Sequence, residues 1–92
     1  MTVLLDPPLW PNHGTQWGHL VSDSSYEELH EFAARAGIPP RAFDRDHYDY
    51  PQERYDELVA LGAQPVGTRE LVRRLRASGL RVTAAERRDE NA

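Results

Sequence analysis

The apolar residues of this chain fall into two patterns. Some form short continuous runs, which are typical of strands, and others recur every three or four positions, which is typical of amphipathic helices. The strand-like runs span residues 2–5, 18–22, 64–66 and 80–82. The first run stops at Asp6 and two prolines, which predicts a buried strand with a sharp end. Residues 9–17 contain Gly, Pro and Asn between two tryptophans and are predicted to form an ordered loop.

Three stretches have helical periodicity. The pairs Ser24/Glu27 and Ser25/Glu28 both fit a capping box at the start of the first helix. Gly37 fits the position just after the end of that helix. The predicted helices span residues 25–36, 51–61 and 69–78.

The order of these elements favours an α/β fold. We expect a small, partly parallel sheet of three to four short strands with about three helices packed on it. A chain of 92 residues buries roughly 60–65% of its unfolded surface, which is enough for one modest core. We therefore expect a single domain over residues 1–82, followed by a polar, frayed tail over residues 83–92.

Composition restricts the classes of function. The net charge is −4, from 11 basic and 15 acidic residues, which does not favour nucleic-acid binding. The chain has no cysteine, so disulfides and thiolate metal sites are excluded and any metal must use histidine and carboxylate. The first apolar run is too short for a signal peptide or a membrane span, so a cytoplasmic protein without membrane association is expected.

Residues 43–51, Phe-Asp-Arg-Asp-His-Tyr-Asp-Tyr-Pro, are too polar for a core and too aromatic for an ordinary loop. We expect residues 41–50 to be extended, with Pro51 in the first turn of the next helix. In an extended segment His47 and Asp49 share one face, and Asp44 and Asp46 share the other. The segment therefore offers an imidazole and a carboxylate side by side.

Further His and Asp residues follow the predicted strands. Asp6 ends the first strand, and His19 and Asp23 share one face at the end of the second. Ligands of α/β sheets collect beyond the carboxyl ends of the strands, so we expect these groups to gather at one rim. The predicted ligands of a divalent metal ion are Asp6, His19, Asp23, His47 and Asp49.

This ligand set suits Zn, Mn, Fe or Ni, and a carboxylate-rich subset of it suits Mg. An ion with an open coordination position activates water, which predicts a hydrolase or phosphoesterase acting on a small-molecule or phosphate-containing substrate. His47 and Asp49 would then be catalytic, with Arg54 as an anion contact. Whether the protein is an enzyme stays open. Asp23 and Asp49 also fit simple helix caps, and His47 with a carboxylate also fits acid–base chemistry without a metal.

A different class of function is a non-catalytic binding or accessory module. Its docking surface would be the Arg-rich helix over residues 69–78, which suits an acidic protein or a phosphate backbone. Trp10, Trp17 and Tyr48 would serve as aromatic anchors. The same helix also fits an ordinary solvated face. Because the core is thin, a homodimer through a tryptophan- or tyrosine-bearing surface is a further hypothesis.

Several segments together resemble a known family. They are residues 3–6, 18–24, 27–33, 46–49, 61–63 and 68–71, with Arg54 and Val66. The family consists of short bacterial and phage proteins catalogued as a domain of unknown function (four-zero-three-one), and the likeness covers about residues 2–75. The loop over residues 7–17 departs from the phage-type members. The resemblance implies that Asp6, His19, Asp23, His47, Asp49 and Arg54 belong together, and it implies no activity.

Overall fold

A mixed sheet forms the centre of the fold. The structure is a computed structural model and describes residues 1–83. Within these residues the strands are β1 (Val3–Leu5), β2 (Trp10–Asn12), β3 (Thr15–Ser22), β4 (Phe43–Asp44), β5 (His47–Pro51) and β6 (Gln64–Pro65). The helices are α1 (Tyr26–Arg35), α2 (Tyr55–Ala60) and α3 (Thr68–Ser78), and single 3₁₀ turns lie at Pro40–Ala42 and Gln52–Arg54.

The strands follow the order β4-β5-β3-β1-β6, and β2 pairs with β3 outside this path. The parallel pair is β1 with β6, and the pairs β1–β3, β2–β3, β3–β5 and β4–β5 are antiparallel. The predicted α/β architecture with a partly parallel sheet is confirmed. The predicted number of three to four strands is too low, because the described residues form six.

The main correction concerns residues 9–17. They form a β-hairpin, in which β2 pairs with the first half of β3, instead of an irregular loop. The tip is His13-Gly14, with φ values of 49° and 78°. A two-residue hairpin tip with both φ angles positive matches the right-handed twist of the strands. Pro11 argued against a strand, but a proline is tolerated in an edge strand such as β2.

The helices lie close to their predicted positions. The Ser25 side chain caps α1 by accepting a hydrogen bond from the Glu28 backbone N–H, as the capping box predicts. The second predicted helix divides into a 3₁₀ turn and the short α2. Residues 80–82 form no strand, because they leave α3 and bend back over the β4–β5 turn. The prediction of a frayed tail falls on residues that, except for Thr83, lie outside the described part of the chain.

Different helices pack against the two faces of the sheet. Leu20 of β3 and Tyr48 of β5 belong to a core cluster with α1 and α2. On the opposite face, Val21 of β3 packs against Leu71 and Leu75 of α3. Because α3 packs at the Val21 end of β3, the Trp17–His19 end of this face stays accessible at the surface. No helix among residues 1–83 is both long enough and apolar enough to cross a lipid bilayer.

Candidate metal centre

Three side chains converge on the accessible face of the sheet. His19 of β3 is the register partner of Asp49 of β5, and His47 lies two residues before Asp49, so the strand period directs all three to one face. One ligand atom from each lies within 4.8 Å of the other two. The Asp49 Oδ1 atom lies 3.2 Å from His47 Nε2 and 3.9 Å from His19 Nε2.

These separations fit a metal ion. Tetrahedral coordination with bonds of about 2.0–2.2 Å places neighbouring ligand atoms roughly 3.3–3.6 Å apart. The two distances to Asp49, 3.2 and 3.9 Å, bracket that range. Both imidazoles are half-buried, and the Asp49 side chain is 50% exposed, so the centre opens to solvent on one side. Small side-chain adjustments would complete three bonds and leave a fourth position for water.

Asp6 holds His19 from behind. Its fully buried carboxylate accepts the His19 backbone N–H through Oδ1 at 2.6 Å, and Oδ2 lies 3.0 Å from His19 Nδ1. The Tyr50 hydroxyl donates to the Asp6 carbonyl at 2.5 Å and fixes the backbone at this point. With Nδ1–H donating to Asp6, the Nε2 lone pair of His19 faces Asp49. In this geometry Asp6 orients His19 and does not itself face the candidate centre.

Asp46 holds His47 in the same way, and the sequence did not predict this role. Its Oδ1 lies 2.7 Å from His47 Nδ1. Its Oδ2 accepts the Val82 backbone N–H at 2.8 Å and lies 3.2 Å from an Arg81 guanidinium nitrogen. An ideal extended segment would place Asp46 and His47 on opposite faces, but Arg45 adopts a φ of 63° and turns the chain between β4 and β5. The sequence signal for this contact is an aspartate directly before a histidine. The turn at Arg45 that brings the two side chains together cannot be predicted from the residue types.

His47, Asp46 and Asp49 shift one another's pKa values. Burial lowers the pKa of His47, but the hydrogen bonds and charges of Asp46 and Asp49 outweigh it and raise this pKa to about 9. The hydrogen bond from His47 lowers the pKa of Asp49. Burial raises the pKa of Asp46, and the bonds from His47, Val82 and Arg81 more than reverse this, so the net shift is downward. His47 is thus an imidazolium between two carboxylates at neutral pH, and a cation at Nε2 would displace that proton.

Asp23 does not join this group. Its carboxylate accepts the Thr2 backbone N–H at 2.9 Å, the Ser24 hydroxyl at 2.9 Å and an Arg74 guanidinium N–H at 2.6 Å. The shared rim expected for Asp6 and Asp23 is not found, because β1 and β3 are antiparallel and their carboxyl ends lie at opposite edges of the sheet. The structure gives Asp23 a role in tying β1 and α3 to β3.

Arg54 also lies away from the three converging residues. Its guanidinium group donates to the Ala36 carbonyl at the end of α1 and to the Glu57 carboxylate, 2.5 Å from Nε. Because α1 covers the opposite face of the sheet, this contact holds Arg54 on the far side from the centre. The expected role of Arg54 as an anion contact therefore finds no geometric support.

A cavity of about 500 Å³ opens beside the three converging residues. The β2–β3 hairpin forms its outer wall through residues 10–13 and residues 17–18, and the inner wall is His19, His47 and Asp49. A larger cavity of about 650 Å³ lies at the first turn of α1, lined in part by Glu27, Glu28 and Glu31. No histidine lines this larger cavity, so we place the candidate site in the cavity beside the β2–β3 hairpin.

Comparison with known proteins identifies the family. The family model described as "Protein of unknown function (DUF4031)" matches residues 3–78. The chain belongs to this family. The match runs from β1 to the end of α3 and contains all three converging residues and both orienting carboxylates, whereas Arg81 and Val82 follow its last matched residue. Neither the curated proteins nor the solved structures give a match to the chain.

Proposed function

We propose that this member of the DUF4031 family binds one divalent metal ion through His19, His47 and Asp49 and uses it to hydrolyse a substrate in the adjacent cavity. The observation that carries the proposal is the pairing of each imidazole with its own buried carboxylate, Asp6 behind His19 and Asp46 behind His47. Carboxylate–histidine pairs of this kind fix the tautomer and ring orientation of metal-ligating histidines. Both Nε2 atoms consequently point toward the same Asp49 oxygen.

The donor set is typical of a catalytic metal. Structural zinc sites use four protein ligands, whereas two histidines and one carboxylate leave a position for water or substrate. Nitrogen and oxygen donors in this ratio suit Zn or Mn better than Mg. The same set also binds iron(II) in non-haem oxygenases, so iron(II) belongs among the metals to be tested.

Hydrolysis follows from that open position. A bound divalent ion lowers the pKa of its water toward neutrality and polarises a carbonyl or phosphoryl oxygen. The water oxygen forms a bond to the carbonyl carbon or the phosphorus, the bond to the leaving group breaks, and the water proton passes to the leaving group. Asp6 and Asp46 are positioning residues in this scheme, because each contacts a ligand and not the reacting atoms.

The first experiment measures metal binding to protein purified without a histidine tag. Titration with Zn²⁺, Mn²⁺ and, under anaerobic conditions, Fe²⁺ is expected to show one equivalent bound for the preferred metal. His47→Ala and Asp49→Ala are expected to abolish it. His30→Gln is the matched control, because His30 contacts Tyr48 on the far side of the sheet. A wild-type stoichiometry below about 0.1, or full binding by His47→Ala, would overturn the proposal.

The second experiment separates hydrolysis from binding. The experiment compares a chromogenic carboxylic ester, p-nitrophenyl acetate, with a chromogenic phosphate ester, p-nitrophenyl phosphate. Turnover is expected with the metal-loaded protein, to stop on chelation and to return on metal addition. Stoichiometric metal without turnover of any ester would retain the metal site and remove the hydrolase assignment.

The alternative function, a docking module built on the Arg-rich helix, finds less support. In α3, Arg73 pairs with Glu70 and Arg74 pairs with Asp23, which reduces its free positive charge. Tyr48 is 1% exposed and cannot serve as a surface anchor. The aromatic residue that is exposed, Trp10, lies beside the metal centre.

A further inference from the structure

We propose that the cavity beside the metal centre binds a flat, uncharged aromatic acyl group, so that the substrates are amides or esters of aromatic or heteroaromatic carboxylic acids. We call this cavity the hairpin groove, defined by residues 10–13 and 17–18 with the three converging residues. The inference rests on the proposed metal-dependent hydrolysis and narrows it to carbonyl substrates. Three observations support it: the two tryptophans that line the groove, the charge of the groove, and the distance from the Trp10 ring to the His19 ring.

The two tryptophans of the chain both line the hairpin groove. Trp10 and Trp17 are direct register partners in the β2–β3 hairpin, so their side chains lie on the same face of the sheet. The Trp17 indole N–H donates to the Asn12 carbonyl at 2.9 Å, which fixes the orientation of its ring. Trp10 is 42% exposed, so part of a large apolar surface faces solvent. A preoriented pair of indoles favours a flat ring, which stacks without ordering further side chains.

The charge of the groove disfavours a phosphate. Among residues 1–83, no arginine lines the hairpin groove, and the chain has no lysine. Arg81 lines a separate, smaller cavity on the α3 side of His19 and His47, where its guanidinium group pairs with Asp46. The charged and titratable side chains of the hairpin groove are Asp49 and the histidines His13, His19 and His47. Sites that bind phosphoryl groups ordinarily add arginine or lysine clamps to the metal. A neutral carbonyl needs only the polarising ion.

The distances place an aromatic acyl group against the metal ligands. The Trp10 ring centroid lies 4.2 Å from that of His19 in an edge arrangement, and His19 lies 5.0 Å from His47. A ring packed on Trp10 would therefore lie next to the His19 imidazole, and we place its carbonyl group toward the converging Nε2 atoms. The volume of about 500 Å³ holds a ligand of one or two rings, within the usual range for small-molecule sites.

The experiment uses the two indole N–H signals of the full-length protein in ¹H–¹⁵N NMR spectra. Benzamide is the probe, cyclohexanecarboxamide is the saturated match of the same size, and phenyl phosphate is the charged match. We expect benzamide to shift both indole signals and to bind roughly three- to tenfold more tightly than the saturated amide, the range of an aromatic pair. Trp10→Leu is expected to remove this preference. Leu9→Ala, at an exposed neighbour outside the groove lining, is expected to keep it.

Each contrary result has a definite meaning. Equal affinity of the wild type for the two amides, or a preference for benzamide that persists in Trp10→Leu, would overturn the aromatic preference. Tighter binding of phenyl phosphate than of benzamide to the metal-loaded protein would overturn the uncharged preference. The stoichiometry of the metal that the titration shows to be preferred, measured on the same samples, separates this inference from the proposed function. Metal bound without benzamide binding rejects the groove inference alone, and benzamide binding to protein that takes up no metal rejects the metal centre alone.

Discussion

The Asp46 carboxylate lies 2.7 Å from His47 Nδ1, although adjacent residues of a strand normally point to opposite faces. The left-handed conformation of Arg45 makes this contact possible by turning the chain just before β5. The contact fixes the ring orientation, so that Nδ1 faces Asp46 and Nε2 faces Asp49. The arrangement of the candidate centre therefore depends on a turn as much as on the three converging residues.

Asp46→Asn tests this dependence. The amide keeps the shape of the side chain but removes the charge that orients and polarises His47. Loss of an orienting partner typically lowers metal affinity 10–100-fold, and we expect a loss in this range. Competition with a chromogenic chelator measures it. Asp44→Asn, at an exposed carboxylate on β4, is the control and is expected to bind as the wild type does. Unchanged affinity in Asp46→Asn would show that the contact has no orienting role.

Metal addition is expected to stabilise the fold. A ligand that binds only the native state at about 100 times its Kd adds about 2.7 kcal/mol to the free energy of unfolding. For a domain of this length, that corresponds to a rise in Tm of roughly 10–20 °C. Differential scanning fluorimetry with and without EDTA measures the shift. His47→Ala should show none, and a metal-induced rise in that variant would place the binding site elsewhere.

Gly18→Ala is expected to destabilise the protein without a change in charge. A Cβ atom at this position would lie 2.6–2.7 Å from three atoms of the Tyr50 ring and hydroxyl. Tyr50 is fully buried and bonded to the Asp6 carbonyl, so it cannot move away easily. Overpacking of this kind costs about 1–3 kcal/mol. Urea denaturation measures it, with Gly67→Ala as the control, since a Cβ there meets nothing within 4 Å. Equal stabilities of the two variants would contradict the close contact.

Asp23 makes the protein sensitive to acid. Burial raises its pKa, but hydrogen bonds from Thr2, Ser24 and Arg74 outweigh this, so the pKa lies below the ordinary value of 3.8. A carboxylate with a lowered folded-state pKa contributes stability that is fully present above the unfolded value and is lost as the pH falls through the folded value.

Asp23→Asn is therefore expected to cost about 1–3 kcal/mol at pH 7. It is also expected to flatten the decline in stability between pH 5 and pH 3, because the wild type loses this contribution in acid and the variant has already lost it. Urea midpoints across that range measure both effects. Asp56→Asn, at an exposed position on α2, controls for the removal of one carboxylate. Parallel pH profiles for wild type and Asp23→Asn would reject the assignment.

The elements with strong local signals were predictable from the sequence. The capping box defined the start of α1, and the apolar runs located β1 and the second half of β3. The hairpin over residues 9–17 was missed because its proline argued against a strand, and because a His-Gly tip is a weaker turn signal than Asn-Gly. The local pattern of residues does not show that this segment lies at the edge of the sheet, where a proline is tolerated.

The candidate site was predictable in its residue types and less so in its geometry. His19, His47 and Asp49 come together because strand alternation places them on one face, a rule that applies from sequence alone. The position of Asp23 depends on whether β1 and β3 run parallel or antiparallel, and residue pattern does not determine this. The role of Asp46 depends on one backbone angle at Arg45.

The return of the chain after α3 matters for how the domain should be delimited. The family match ends at residue 78, yet Asp46 receives hydrogen bonds from Arg81 and Val82, and the Tyr26 hydroxyl donates to the Leu80 carbonyl at 2.5 Å. A recombinant fragment trimmed after Ser78 would keep every matched residue and still leave the Asp46 carboxylate short of two donors. The working unit of this domain thus reaches at least four residues beyond its recognisable signature.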